Sequence, residues 1–418
     1  MKIVIYGLNY APELTGIGKY SGEMAEWLCR QGHEVRVIAA PPYYPGWKVF
    51  SGYSARVYRR EVINGVAVTR CPLWVPGKQS GVRRLLHLAS FAASSLPVIV
   101  GQALWRPDII FVVEPPFACA PAALLAARLC GAKSWLHVQD FEIDAAFELG
   151  LLPGKRSRRM IHRIERWLMR RFDRVSTISH RMLARLRIKG VAPDKAVFFP
   201  NWIDTRWFYP LGRVSAYRAE LGISDNAIVA LYSGNMGRKQ GLEILGQAAR
   251  KLAGRQNLVF VLCGDGAGRR GLMQMTAGLP NVRFLDLQPF DRLNELLNLA
   301  DIHLLPQRQD AADLVMPSKL TGMLASGIPV LATCANGTEV AEVLQTCGVI
   351  TPPGDVEAFV AALEQLAADD RQRARLGRAG RIYAENHFDQ DAVLEGFLRT
   401  LQTLKGISDR RDDLGEQL

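Results

Sequence analysis

The chain of 418 residues has room for two or three domains. Hydrophobic residues make up 49% of it and charged residues 22%, enough apolar surface for a core, which excludes global disorder. Its 52 Lys and Arg against 40 Asp and Glu leave a formal charge of +12, which points to an anionic partner: a nucleic acid, an acidic membrane face or a phosphorylated substrate.

Met1 to Tyr6 runs from a short apolar segment straight into a Gly/Pro loop, with no small-residue cleavage site, and reads as a first strand rather than a signal peptide. Short apolar runs then alternate with longer helical patterns, the signature of parallel α/β layers. Strands are predicted at Ile3 to Tyr6, Val35 to Ala39, Val66 to Thr69, Asp108 to Val113, Ser134 to Val138, Val175 to Ile178 and Ala196 to Phe199. The irregular stretch Pro200 to Ser215 reads as a connection. A second series follows at Ile228 to Tyr232, Leu258 to Cys263, Val282 to Leu285, Ile302 to Leu305, Val330 to Ala332 and Val349 to Thr351. After Asp355 the pattern is helical through about Leu404, and Lys405 to Leu418 reads as a frayed tail. Seven cysteines, an odd number without CxxC spacing, suggest neither a disulfide framework nor a zinc site and read as core residues of a reducing compartment. The expected architecture is two doubly wound Rossmann-like domains facing across a cleft. Their expected limits are 1–203 and 204–385, with a helix and tail at 386–418 that cross back to the first domain.

Open α/β sheets bind ligands at the carboxyl ends of their strands, which singles out four segments. Gly16 and Gly18 open a long helix, where backbone amides and the positive end of the helix dipole suit an anion. The loop is too long for a dinucleotide turn, and an ordinary βα turn is the alternative. Gly234-Asn235-Met236-Gly237-Arg238-Lys239-Gln240-Gly241 has the parts of a diphosphate cradle: small residues, a forked guanidinium and an ammonium. Solvated loop charges are its alternative. Gly264-Asp265-Gly266 is a third glycine turn. In Pro317-Ser318-Lys319-Leu320, Lys319 falls in a predicted first helical turn, where a cation wants an anionic partner, either a ligand or Asp313.

These segments, in this order, resemble family 4 glycosyltransferases of the GT-B fold across nearly the whole chain. Tyr10 to Tyr20, Ala40 to Pro45, Leu136 to Asp140 and Phe199 to Trp202 resemble those members that act in exopolysaccharide assembly of the colanic acid type. The resemblance implies retaining transfer of a sugar, with GDP-fucose as the favoured donor, to a lipid-linked oligosaccharide acceptor. It implies no cofactor and no metal. Donor-binding residues would be Gly16, Gly18, Gly234, Asn235, Arg238, Lys239, Lys319 and Glu339. The chain departs from the family's paired-glutamate motif, with Gly322 and Leu314 at the two places. Asp140 is the first candidate for orienting or deprotonating the acceptor hydroxyl and His137 the second. Solvated loop acids beside a core histidine are the alternative there.

The excess positive charge has a place of its own. Lys155 to Arg171 holds eight Lys and Arg against one acid, Glu165, with Ile161, Ile164 and Leu168 at helical spacing. Leu85 to Trp105 has no charged residue and a span's length, but Pro97 and its serines favour a helix lying on a membrane surface. Together they predict a cytoplasmic protein, peripheral on the inner face of the cell membrane. A buried helix beside a solvated basic face is the alternative. Nucleic-acid binding is the runner-up from another class, yet no RRM, KH or helix-turn-helix signature accompanies the charge. A nucleotide-sugar epimerase on the same fold is the alternative among enzymes.

Overall fold

A computed structural model describes residues 1–13, 16–77, 81–148, 155–237, 240–308 and 317–406. The chain forms two compact units, Met1–Pro200 with Leu394 onward, and Asn201–Val393.

The first unit is built on an eight-stranded sheet: β1 (Lys2–Tyr6), β2 (Glu34–Ala39), β3 (Arg59–Ile63), β4 (Val66–Arg70), β5 (Ile109–Glu114), β6 (Lys133–Val138), β7 (Arg174–Thr177) and β8 (Ala196–Phe198). Their order is β3-β4-β2-β1-β5-β6-β7-β8. All neighbours are parallel except β3 and β4. The central strands are continuous apolar runs because helices cover both faces, and β5, Ile-Ile-Phe-Val-Val-Glu, is buried at every residue. Strand β3 was not predicted. Its Arg-Arg-Glu-Val-Ile sequence is largely exposed at the sheet edge. The signal lies in the turn: Asn64 at φ 49° and Gly65 at φ 84° supply the two left-handed residues of a tight hairpin.

The second unit has six parallel strands, β9 (Ile228–Ser233), β10 (Leu258–Cys263), β11 (Val282–Leu285), β12 (Ile302–Leu305), β13 (Val330–Thr333) and β14 (Gly348–Thr351), in the order β11-β10-β9-β12-β13-β14. Phe260, Leu262, Leu304 and Leu331 from its strands meet Leu245 and Leu363 from helices in one core.

The helix Gln390–Lys405 straddles the division between units. Its Leu394, Phe397 and Leu401 are buried. Phe397 stacks on Phe199 with centroids 4.4 Å apart and meets Phe111 and Trp135 edge-on at 5.2 and 5.1 Å, so the last helix completes the first unit's core. The expected limits at 203/204 and 385/386 thus become 200/201 and 393/394. Of the predicted tail, residues 407–418 lie outside the described residues. All seven cysteines are free.

Candidate functional site

In the second unit, chemistry gathers where β9, β10, β12 and β13 end. Gly234 follows β9 at φ +125° and Gly264 follows β10 at φ +143°, conformations that only glycine adopts readily. The two turns press together: a Cβ on Gly264 would lie 1.9 Å from the Gly234 carbonyl oxygen, and one on Gly266 2.8 Å from Asn235 Oδ1. The Met236 amide donates to the Asp265 carbonyl at 2.8 Å and the Tyr232 hydroxyl to the Asn235 carbonyl at 2.6 Å, which fixes the shape of the first turn. Arg238 and Lys239 of the predicted cradle lie outside the described residues, as do Asp313 and Leu314.

Lys319 opens the helix Lys319–Ala325 between β12 and β13. Its Cδ is 3.6 Å from the position a Gly234 Cβ would take, so its stem lies behind the glycine turn. The Nζ atom is buried and has no hydrogen-bond partner among the described residues. It sits 4.2 Å from the Tyr232 ring centroid, and burial pushes its pKa down to about 7. A cation stripped of water without a counter-ion is costly unless a ligand supplies the charge. Glu339 is half-buried as first residue of the helix Glu339–Leu344, beyond β13 on the same edge. Gly322 points instead toward the interior: a Cβ there would meet Leu297 Cδ1 at 3.4 Å. The structure therefore brings Gly234, Asn235 and Lys319 together, with Glu339 on a neighbouring strand end.

In the first unit, Gly16 (φ +61°) starts the helix Gly16–Arg30, and Gly18 packs so closely on Glu13 that a Cβ would lie 2.8 Å from Glu13 Cβ. Glu13, buried beneath this helix start, is a residue that the sequence does not single out. One oxygen, Oε1, accepts from the Tyr43 and Tyr44 amides at 2.8 and 2.9 Å, and Oε2 accepts from Asn9 Nδ2 at 2.8 Å. The carboxylate thereby ties the glycine helix start to the loop after β2.

His137 corrects the sequence expectation. Lying on β6, it is 4% exposed and stacks against Phe111, with Phe199 at 5.1 Å. The Gln139 side-chain amide donates to Nε2 at 2.9 Å, so Nδ1 carries the proton and donates to Ser176 Oγ at 2.8 Å. Burial pushes its pKa down to about 3. It is a neutral core histidine, sealed from any acceptor. Asp140 stands two residues past β6, half-buried. Beside it are two acids of opposite situation. Glu142 Oε2 accepts from the Phe117 amide at 2.9 Å, whereas both oxygens of Glu114, at the end of β5, are buried without a partner among the described residues. Burial holds both carboxyls above their usual range, with the Glu142 charge adding to the effect at Glu114. Glu114 escaped notice because it ends an apolar run.

Asp144 belongs elsewhere. With Glu165 it surrounds the Lys189 ammonium, at 3.0 and 2.7 Å, and His162 completes the cluster. Asp144, His162 and Glu165 are close enough to share a metal ion, but the lysine already fills the cation's place. Glu165, the lone acid of the helix Lys155–Met169, thus faces inward. Arg158, Arg159, Arg163 and Arg166 face solvent. Ile164 does not share the buried face with Leu168 as predicted: it is exposed with Met160 and Trp167. The side chains of Lys155 and Arg156 lie outside the described set. The apolar helix Gly81–Gly101 packs Leu88, Phe91 and Ile99 into the domain, and Tyr6 and Ser95 share a hydrogen bond of 2.5 Å. Its outer face leaves Val82, Leu86 and Leu96 exposed. It is an integral helix of the first unit with one apolar face uncovered.

Comparison with known proteins agrees with this architecture. Residues 15–202 match the Glycosyl transferase 4-like domain and residues 214–383 the Glycosyl transferases group 1 domain. The chain is 44% identical over 412 residues to the Escherichia coli (strain K12) protein WcaI, named as a colanic acid biosynthesis glycosyl transferase, covering 96% of this chain and 100% of that one. A 25% identity over 72% of this chain and 75% of the relative links it to WbjE, named as a glycosyltransferase of Pseudomonas aeruginosa. Among solved structures, the sucrose-phosphate synthase of Thermosynechococcus elongatus superposes with a TM-score of 0.76 at 17% identity, over 98% of this chain and 100% of that one. Anabaena HepE in complex with UDP and glucose superposes with a TM-score of 0.70 at 15% identity, over 96% and 100%. Matched in both halves and along nearly its whole length, the chain belongs to the glycosyltransferases of the GT-B fold that join a glycosyl transferase 4-like domain to a glycosyl transferases group 1 domain.

Proposed function

We propose that the protein moves a sugar from a nucleoside diphosphate sugar, GDP-fucose first, to a lipid-linked oligosaccharide in exopolysaccharide assembly of the colanic acid type. Transfer proceeds with retention of anomeric configuration and without a metal. One observation carries the reading: the Lys319 ammonium, buried, unpaired among the described residues and backed against the Gly234 turn. A leaving diphosphate supplies the charge that this cation lacks. The likeness to WcaI favours the colanic acid pathway, and the UDP complexes of HepE favour a nucleoside diphosphate in general. GDP-fucose and retention rest on the family resemblance.

As the anomeric bond breaks, negative charge grows on the departing diphosphate, so a fixed cation stabilises the transition state more than the ground state. Lys319 provides that charge, joined by Arg238 and Lys239, with Gly234, Asn235 and Glu339 shaping the donor's seat; for Gly16 and Gly18 the donor-binding role rests on the family resemblance. Asp140 orients the acceptor hydroxyl. Burial favours the protonated forms of Glu114 and Glu142, and a carboxyl that already holds its proton cannot take one from the acceptor hydroxyl. The exposed Arg side chains of the helix Lys155–Met169 and the apolar outer face of Gly81–Gly101 hold the protein on the anionic inner face of the cell membrane, at about 1 kcal/mol per basic side chain near the surface.

A thermal-shift screen of GDP, UDP, ADP, TDP and CMP tests the donor site. A ligand at a hundred times its Kd stabilises by about 2.7 kcal/mol. A selective GDP response supports the reading, a UDP response replaces fucose with another sugar, and silence to all five removes the donor site.

A further inference from the structure

The first unit contains a cavity of about 660 Å³ that the donor and acceptor residues above do not use. It opens between the loop after β2, the segment after β4 and the helix Gly81–Gly101. Trp47 and Trp74 wall it, Lys48 and Arg56 stand at it, and no acidic residue lines it.

The walls are built rather than incidental. Trp47 is held at φ +52°, a conformation an L-residue adopts only where its surroundings impose it. Its ring packs against Tyr43 and His87, with centroids at 5.5 and 5.1 Å. The helix grips Trp74 at both ends of its backbone: Ser90 Oγ accepts from its amide at 3.0 Å, and the buried His87 Nδ1 donates to its carbonyl at 2.7 Å. His87 Nε2 in turn shares a hydrogen bond with the Tyr43 hydroxyl at 2.9 Å. One histidine thus ties both tryptophan-bearing segments to one helix. Rigid aromatic walls with a few polar groups suit the apolar face of a pyranose ring. Lys48 and Arg56 are exposed, and neither forms an ion pair among the described residues, so the cavity invites an anion beside that ring.

The helix indicates what lies beyond. Val82, Leu86, Ser90 and Ser94 form a row at i, i+4 spacing. Its second half lines the cavity and its first half is exposed and apolar, Val82 at 64% and Leu86 at 55%. The cavity also shares a sheet edge with Asp140. Strand order places four neighbour spacings between β4 and β6, roughly 19 Å at about 4.8 Å each, so its occupant lies well away from the reacting hydroxyl.

We propose that this cavity receives the carrier end of the acceptor: the first hexose against Trp47 and Trp74, its diphosphate on Lys48 and Arg56, and the lipid chain along Val82 and Leu86. This deepens the lipid-linked acceptor of the proposed function and rests on that reading.

The test titrates the full-length protein with farnesyl diphosphoglucose, following tryptophan fluorescence, alongside farnesyl diphosphate, glucose 1-phosphate and methyl glucoside. The whole probe should bind at least tenfold more tightly than any fragment. Lys48→Ala/Arg56→Ala, which alters only exposed side chains, and Trp74→Phe should each weaken it by tenfold or more, while the thermal response to nucleotides stays that of the unaltered protein. Absence of probe binding in a protein that still responds to nucleotides overturns the cavity assignment, as does unchanged affinity in both variants. Farnesyl diphosphate binding as tightly as the whole probe overturns the hexose subsite. A protein silent to nucleotides that binds the probe in this variant-sensitive way retains the cavity and loses the donor reading, so the two failures are separable.

Discussion

Lys319 Nζ lies 4.2 Å from the centre of the Tyr232 ring, with no carboxylate paired to it among the described residues. The ring face offers a cation partial compensation only, which is why burial lowers the lysine to about 7. Its charge in the free protein is therefore set by ordinary changes of pH.

Nucleotide affinity should follow from that. Below pH 7 the free protein already carries the proton and a diphosphate binds without further uptake. Above it the lysine is neutral and must gain a proton on binding, so Kd should rise by up to tenfold per pH unit as pH climbs from 7. Calorimetry in buffers of different ionisation enthalpy should register uptake of about one proton at pH 8 and 9. A flat affinity from pH 6 to 9 would show that Lys319 meets no phosphate.

Replacing the ammonium separates activity from stability. Lys319→Met should lower kcat by roughly 10²-fold or more, as loss of one preorganised charged donor does. The same change removes a buried cation that favours the unfolded chain below about pH 10, so Tm should rise, on the order of 2–4 °C for about 1 kcal/mol in a unit of this size. A fall in both quantities would make Lys319 a packing residue.

Gly264→Ala probes the seam between the two glycine turns. Its Cβ has no room, 1.9 Å from the Gly234 oxygen, and φ +143° suits no other residue. Chemical denaturation should report a loss of more than about 3 kcal/mol, with Gly271→Ala, where nothing lies within 4 Å, as the tolerated comparison.

Asp140 and His137 should part company. Asp140→Asn should reduce kcat at saturating acceptor by roughly 10²-fold or more, the range of a positioned proton acceptor. His137→Gln should leave kcat near that of the parent and lower stability, because that ring fills the space between Phe111 and Phe199. With burial holding His137 at about 3, no limb of the pH–rate profile near 6.5 should disappear with it. Its loss would return His137 to the chemistry.

Much of the fold is legible because parallel strands covered on both faces are apolar along nearly their whole length, as Ile109 to Val113 and Leu258–Cys263 are. The edge strand Arg59–Ile63 carries no such constraint and hides except for Asn64-Gly65. The glycine turns are readable since their backbone needs name the residue. Lys319 is readable as a cation near a helix start; its isolation is not, because burial of Nζ depends on the crossing of segments far apart in sequence. His137 and Asp140 look alike in the string Leu-His-Val-Gln-Asp, and only the strand's end, with both of its faces covered, buries one and leaves the other beyond it. Glu114 and Glu13 are ordinary letters until their neighbours are known.

Phe397 completes the aromatic cluster of Phe111, Trp135 and Phe199, so the first unit is closed by a residue that follows the whole of the second in the chain. During synthesis the whole of Asn201–Val393 must emerge before that cluster can be sealed, on the order of 10–40 s at ordinary elongation rates. Newborn chains pass that interval with an aromatic patch uncovered and the second unit free to fold first. The first unit can therefore be completed only after the whole of the second has emerged, and a chain halted short of Phe397 is left with its oldest domain unfinished.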